Sequence, residues 1–327
     1  MRTCRIAMVG AGGVAQRHLR VLSGFPDVAL AGVTDVAHDA GRDVADRHGT
    51  RFYTDVADLL AAGPDAVYVC VPPFAHGPLE RLIVAAGLPM FVEKPIAVDL
   101  PTAREIAAAV ARRPLVTAVG HHWRYSHLVD RAVRLLQDRP VRAVTARWTD
   151  RVPPVAWWIR QDRSGGPMVE QAAHLLDLAR LLVGEVTAVA AFGDGRPPPI
   201  DGADIDTATA AVLRFAGGAV GTVTSTCALD WKQYAGLEIV ADGLVLELTE
   251  QELAVRDADG VRRWSAEPDD ARVAVDRAFV DAVRGVGDDI RAPYAEALRT
   301  QGLSCAIAES ARTGRPVTLS PMALGDE

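Results

Sequence analysis

The chain has 327 residues, 49% of them hydrophobic and 24% charged, with a formal net charge of −7. That length accommodates about two domains, and the composition is ordinary for a globular protein with a full core. An acidic balance with scattered arginines argues against a nucleic-acid footprint, and no apolar run reaches the length of a membrane span.

The first apolar run, residues 6–9, reads as a strand. It begins at once, which leaves no room for a signal peptide with its own cleavage site. The strand ends in Gly10-Ala-Gly-Gly-Val-Ala15, the G-x-G-x-x-A form of a dinucleotide fingerprint, and a helix is expected over 13–22. Gly10 permits the tight turn, and Gly12 lets the backbone approach a pyrophosphate. Gly13 and Val14 carry the chain into the helix, whose N-terminus offers N–H groups to phosphate, and Ala15 keeps it close to the sheet. A second strand, 28–34, delivers Asp35, whose carboxylate can accept hydrogen bonds from ribose hydroxyls. Asp35 should repel a 2′-phosphate, so NAD is expected, while nearby His38 and Arg42 keep NADP open. S-adenosylmethionine would also suit a glycine turn followed by a strand-end acid.

Strands at 52–53, 66–71, 90–92 and 116–119 alternate with helices at 40–48, 78–86 and 102–112. Strands separated by helix-length segments imply a parallel, doubly wound sheet. The strand at 66–71 leads into Pro72-Pro-Phe-Ala-His76, and prolines there stop the ladder and turn the chain across the cofactor crevice. Val71, Pro72 and His76 are therefore expected along the cofactor, with helix capping as the other role open to His76. The strand at 90–92 leads into Glu93-Lys94-Pro95, the end of an open α/β sheet where active sites lie. Only two lysines, Lys94 and Lys232, stand beside 33 arginines. An ammonium can lose its proton when desolvated and a guanidinium cannot. Glu93 and Lys94 are both expected near the cofactor. Residues 1–122 are taken as the nucleotide-binding domain and 123–327 as a second domain.

Past residue 140 the rhythm changes. A strand at 143–149 leads through a Pro/Trp-rich loop, 152–163, into one helix over 167–183. Strands at 187–192, 207–215, 219–227, 237–241, 244–248 and 253–256 follow with tight turns, which reads as an antiparallel sheet. Residues 194–202 form an exposed loop, and Lys232 reads as a surface residue leading out of the sheet. Helices over 272–284 and 294–313 close the chain. In the helix at 167–183, Met168, Ala172, Leu175, Ala179 and Leu182 form a buried stripe. Glu170, His174 and Asp177 share another stripe, and polar groups on a largely apolar helix need partners. With His121 or His122 they could hold a metal, but the spacing lacks the double-His turn of a zincin, and no metal is expected. His174 suits the base that takes a hydroxyl proton, and a nearby Lys94 would favour the developing alkoxide. The two are expected to meet across an interdomain cleft. The four cysteines lie far apart with no Cys-x-x-Cys, which fits a reducing cytoplasm.

In these motifs the chain resembles the Gfo/Idh/MocA oxidoreductases. The glycine turn, Glu93-Lys94-Pro95, the Gly165-Gly166 to His174-x-x-Asp177 stretch and the closing Glu309-Ser-Ala-Arg-Thr-Gly-Arg-Pro-Val317 match in order over nearly the whole length. The resemblance implies a Rossmann domain followed by an α/β domain with an open, mostly antiparallel sheet. That sheet often forms the oligomer interface, so a homodimer or homotetramer is expected. It also implies catalytic roles for Lys94 and His174 on sugars, cyclitols or related polyols. Glu170 stands where the family usually has Asp, and it is expected to orient His174 or bind a substrate hydroxyl. His122, where many members carry Asn, is expected beside nicotinamide or sugar. Trp158, in the pair Trp157-Trp158, offers an aromatic face to a sugar, or else packs the loop against the sheet. Two other activities fit the same residues. One is transient oxidation by a retained NAD with elimination, as in a glycosidase or dehydratase. The other is a non-catalytic dinucleotide or sugar sensor.

Overall fold

A computed structural model describes residues 3–320. The N-terminal half alternates β1 (Cys4–Val9), α1 (Gly13–Leu22), β2 (Val28–Thr34), α2 (His38–Arg47), β3 (Phe52–Tyr53) and α3 (Val56–Ala61). It continues with β4 (Ala66–Val69), α4 (Pro78–Ala86), β5 (Met90–Val92), α5 (Leu100–Arg112) and β6 (Thr117–Val119). The six strands form an all-parallel sheet in the order β3-β2-β1-β4-β5-β6. Helices on both faces bury such strands on both sides, which is why β1 and β4 read as continuous apolar runs. The helix α3 has no counterpart in the sequence reading. Its six residues write too little period to detect, and its start is fixed by Asp55, which accepts from Ala57 N–H.

The C-terminal half contains α6 (His127–Leu136), β7 (Val141–Arg151), α7 (Gln161–Ser164), α8 (Pro167–Glu170) and α9 (Ala173–Val183). Then come β8 (Val186–Gly193), β9 (Ala208–Phe215), β10 (Val220–Leu229), β11 (Tyr234–Ala241), β12 (Leu244–Thr249), β13 (Glu252–Asp257) and β14 (Gly260–Ser265). The chain closes with α10 (Asp270–Arg284), α11 (Tyr294–Thr313) and β15 (Val317–Thr318). These nine strands form one open sheet, β14-β13-β12-β11-β7-β10-β9-β8-β15, antiparallel except for the parallel pair β7–β10. Burial alternates strictly along β9, so one face is covered and the other is open. Leu175, Leu176, Leu303 and Ile307 from α9 and α11 pack on the covered face against Val223, Leu237 and Leu246. Edge strand β14 escaped the sequence reading because its residues are almost all exposed and carry no apolar period.

The single helix expected over 167–183 is broken. Gly165 and Gly166 precede Pro167 at φ 75° and 83°. Then both Gln171 N–H and Ala172 N–H donate to the Pro167 carbonyl at 2.9 Å, a wide turn that separates α8 from α9. Glu170 therefore leaves the register of His174 and Asp177.

The parallel sheet is not completed by its own half of the chain. Val275, Ala278, Phe279 and Val280 of α10 share one core with Ile6, Met8, Tyr68 and Phe91. Tyr294, Ala297 and Leu298 of α11 enter the core on the other side, with Val67, Val92 and Ile106. No helix among the described residues is long and apolar enough to cross a membrane.

Candidate active site

The glycine turn sits between β1 and α1. A Cβ on Gly10, whose φ is 104°, would lie 2.2 Å from the Cys70 carbonyl oxygen, so only glycine fits there. A Cβ on Gly12 or Gly13 would meet nothing within 4 Å, which leaves an open cradle at the N-terminus of α1. Val14 is 40% exposed beside it, while Ala15 is fully buried against the sheet. At the end of β2, Asp35 accepts from Ala11 N–H at 2.7 Å and Ala37 N–H at 2.6 Å. Its carboxylate is thus fixed beside the turn with acceptor capacity remaining. These residues fit a dinucleotide, with phosphates at the helix N-terminus and a ribose at Asp35. Arg42 pairs with Asp39 at 3.4 Å and lies over the Phe52 ring. Val71 and Pro72 are partly buried at the end of β4. His76 faces the start of α4, where Glu80 rather than His76 is the capping group. Its Nδ1 lies 2.6 Å from Glu80 Oε1, and Glu80 Oε2 accepts from Gly77 N–H at the start of α4.

Beyond β5, Lys94 Nζ donates to both Glu170 Oε1 and the Glu170 carbonyl, each at 2.9 Å. The two side chains are 15% and 17% exposed. Glu170 Oε2 in turn accepts from Trp158 Nε1 at 2.6 Å. Trp158 is only 1% exposed and packs with Ile159, Ile205 and Cys227, so the ring does not offer a free face to a sugar. That expectation is corrected by the packing of the loop.

Glu93 is likewise turned inward. It accepts from Lys94 N–H at 3.0 Å and pairs with His18 Nε2 at 2.9 Å and Arg17 at 3.4 Å. The other ring nitrogen of His18 lies 2.7 Å from Asp276 of α10, which also accepts from the Tyr68 hydroxyl. Burial alone would lower the His18 pKa, but carboxylates on both ring nitrogens outweigh it and raise it to about 9. Burial would raise Glu93, yet His18, Arg17 and the Lys94 ammonium hold it down to about 2. His18 and Asp276 were missed in the sequence. The one signal was an imidazole among Ala15, Leu19 and Leu22 on the buried face of α1.

His174 lies in an aromatic nest. Trp123 stacks on it at 5.7 Å, with Trp148 at 6.5 Å, while the rings of His122 and His121 meet it edge-on at 4.8 and 6.0 Å. Its Nδ1 is buried with no hydrogen-bond partner among the described residues. Burial first, then the charge fields of His122, Lys94, His121 and Arg17, push its pKa well below the usual 6.5. Burial lowers His121 to about 4, offset only in part by Asp177. Burial also lowers His122, whose Nε2 lies 3.3 Å from Glu250, against the opposing pull of that carboxylate. Burial thus favours the uncharged form of all three imidazoles.

Asp177 does not join His174. Arg124 grips it with two hydrogen bonds, at 2.7 and 2.8 Å, and Thr300 donates to it at 2.9 Å. The expected Glu170–His174–Asp177 stripe is thus divided among three sets of partners. Lys232 is exposed, as expected, but its Nζ lies 4.7 Å from the centre of the Trp148 ring, at the edge of the nest. Among the described residues no three His, Cys, Asp or Glu are arranged to hold a metal ion.

Comparison with known proteins is consistent along the chain. The profile of the "Oxidoreductase family, NAD-binding Rossmann fold" (GFO_IDH_MocA) matches residues 4–121, and that of the GFO/IDH/MocA C-terminal domain matches 127–244. An uncharacterised protein of Schizosaccharomyces pombe is 30% identical over 288 residues, covering 76% of this chain and 70% of that protein. Inositol 2-dehydrogenase of Rhizobium meliloti is 33% identical over 198 residues, covering 58% of this chain and 59% of the enzyme. The structure of levoglucosan dehydrogenase in complex with NADH and levoglucosan shares the fold, with a TM-score of 0.86. It is 20% identical, and the match covers 98% of this chain and all of that one (100%).

Proposed function

We propose that this chain, which belongs to the Gfo/Idh/MocA oxidoreductase family, moves a hydride between NAD and a hydroxyl-bearing carbon of a sugar, cyclitol or related polyol. In this reading residues 1–122 bind cofactor, while 123–327 bind substrate and mediate assembly through the open sheet face. NAD, when bound, supplies the hydride acceptor. His174 takes the hydroxyl proton, and its depressed pKa keeps it in the accepting form at neutral pH. Lys94 donates to the same oxygen as negative charge develops there, with Glu170 fixing its Nζ. His122 lies against the base and is suited to a second substrate hydroxyl.

The observation that carries the reading is the orphaned Nδ1 of His174, buried in the charge field of a strand-end ammonium from the dinucleotide sheet. An unsatisfied buried polar atom costs about 1–3 kcal/mol, and a substrate hydroxyl would supply the missing partner. The substrate class is supported by the inositol and levoglucosan named for two of its relatives. The test is absorbance of reduced nicotinamide with NAD and a panel of inositols, sugars, anhydrosugars and their keto forms. Turnover with at least one polyol is expected. NAD binding without an absorbance change across the panel would contradict the proposal.

A further inference from the structure

Glu170 is one methylene longer than aspartate, and its side chain has one more torsion to fix. Its carboxylate nevertheless has both oxygens engaged. Oε1 receives the Lys94 ammonium at 2.9 Å, and Oε2 receives the Trp158 indole N–H at 2.6 Å. The indole nitrogen is a donor only, and a buried tryptophan needs a partner for it. Its ring is immobilised by Ile159, Ile205 and Cys227, so the donor stands at a fixed point. Trp158 and Glu170 both come from the C-terminal half, whereas Lys94 comes from the end of β5 in the parallel sheet.

From these contacts we propose that Trp158 is a positioning residue. It ties down the far oxygen of Glu170 so that the near one holds Lys94 across the two halves of the molecule. The proposal rests on the reading that Lys94 acts on the substrate oxygen, but it is testable without turnover. Because Lys94 and Lys232 are the only lysines, Lys232 serves as an internal reference for amine modification. Reductive methylation with formaldehyde and cyanoborohydride, read by peptide mass spectrometry, gives the labelling ratio Lys94:Lys232.

Trp158→Phe removes the N–H and keeps a smaller aromatic ring in the same cluster. Losing one hydrogen bond to a charged group corresponds to a rise in that ratio of about ten-fold. In a Glu170→Ala background the ratio should be high already, and adding Trp158→Phe should not move it further. An unchanged ratio in Trp158→Phe, or an equal rise with Glu170 absent, would overturn the proposal. Should Trp158→Phe fail to fold, Glu170→Asp reports instead, because the shorter side chain cannot span Trp158 and Lys94 together. The ratio should then rise with Trp158 intact, and an unchanged ratio overturns the proposal. Where turnover is measurable, Trp158→Phe should lower kcat and leave the KM for NAD unchanged. Absence of turnover in the unaltered protein would strike the hydride-transfer reading alone, since the labelling ratio is independent of it.

Discussion

In the proposed reaction His174 serves as a base kept ready by burial rather than by a carboxylate partner. Burial and the neighbouring cationic groups depress its pKa, so it stays unprotonated from alkaline pH down past 6.5. Polyol oxidation should therefore show no loss attributable to His174 between pH 8 and 6.5, and should fall only at lower pH. A pH–rate profile whose acid limb lies above 6.5 would contradict this. His174→Asn should lower turnover by about 10²–10⁴-fold, the usual contribution of a positioned general base, and should remove that limb. The placement of Lys94 was legible in the sequence because a scarce lysine follows a buried strand and precedes a proline. The inward turn of Trp158 was not, because nothing in an irregular Pro/Trp-rich loop indicates which way a ring faces.

At the scale of elements, the turn after β1 and the strap from α10 hold the site in shape. Gly10→Ala would force a Cβ to 2.2 Å from the Cys70 carbonyl in a backbone region that disfavours side chains. It should abolish NAD binding, measured by calorimetry, and lower the melting temperature; unchanged affinity would refute the role of the turn. The Asp276–His18–Glu93 chain ties α10 to α1 and to the strand end that bears Lys94. The folded His18 pKa, about 9, is above its unfolded value near 6.5. Its stabilisation is thus complete below pH 6.5 and is lost as pH rises through 9. Integrated, the shift corresponds to roughly 3 kcal/mol. Denaturation of His18→Gln beside the unaltered protein should show a stability gap that closes between these pH values, and a gap independent of pH would refute the strap. Strand and helix identities were readable from apolar period and turn residues. The break between α8 and α9 was not, because the buried stripe runs through Met168, Ala172 and Leu175 without a gap in composition.

For the whole molecule, the cofactor sheet and the segment that returns to it form one packed unit. Phe279, Val280 and Tyr294 fill the cores on either side of the parallel sheet, and Val119 N–H donates to the Ala292 carbonyl at 2.9 Å. A fragment of residues 1–122 lacks Phe279, Val280, Ala292 and Tyr294. It should show weak, non-cooperative thermal unfolding by circular dichroism, whereas a sharp transition matching that of the full chain would contradict the packing argument. Two sheets in chain order, one parallel and one mostly antiparallel, were evident from the change in rhythm near residue 140. The return of α10 to the first sheet was not, because amphipathic period shows that a helix has a buried face but not which core receives it. The central claim is that Lys94 from one half and His174 from the other act on one substrate oxygen beside NAD. Its most direct test is kcat for Lys94→Ala, His174→Asn and the double variant on a polyol found in the panel, with NAD affinity measured on the same preparations. NAD affinity should be retained throughout, each single substitution should lower kcat by about 10²-fold or more, and the double should lose less than the product of the two. Turnover that survives both substitutions would contradict the account.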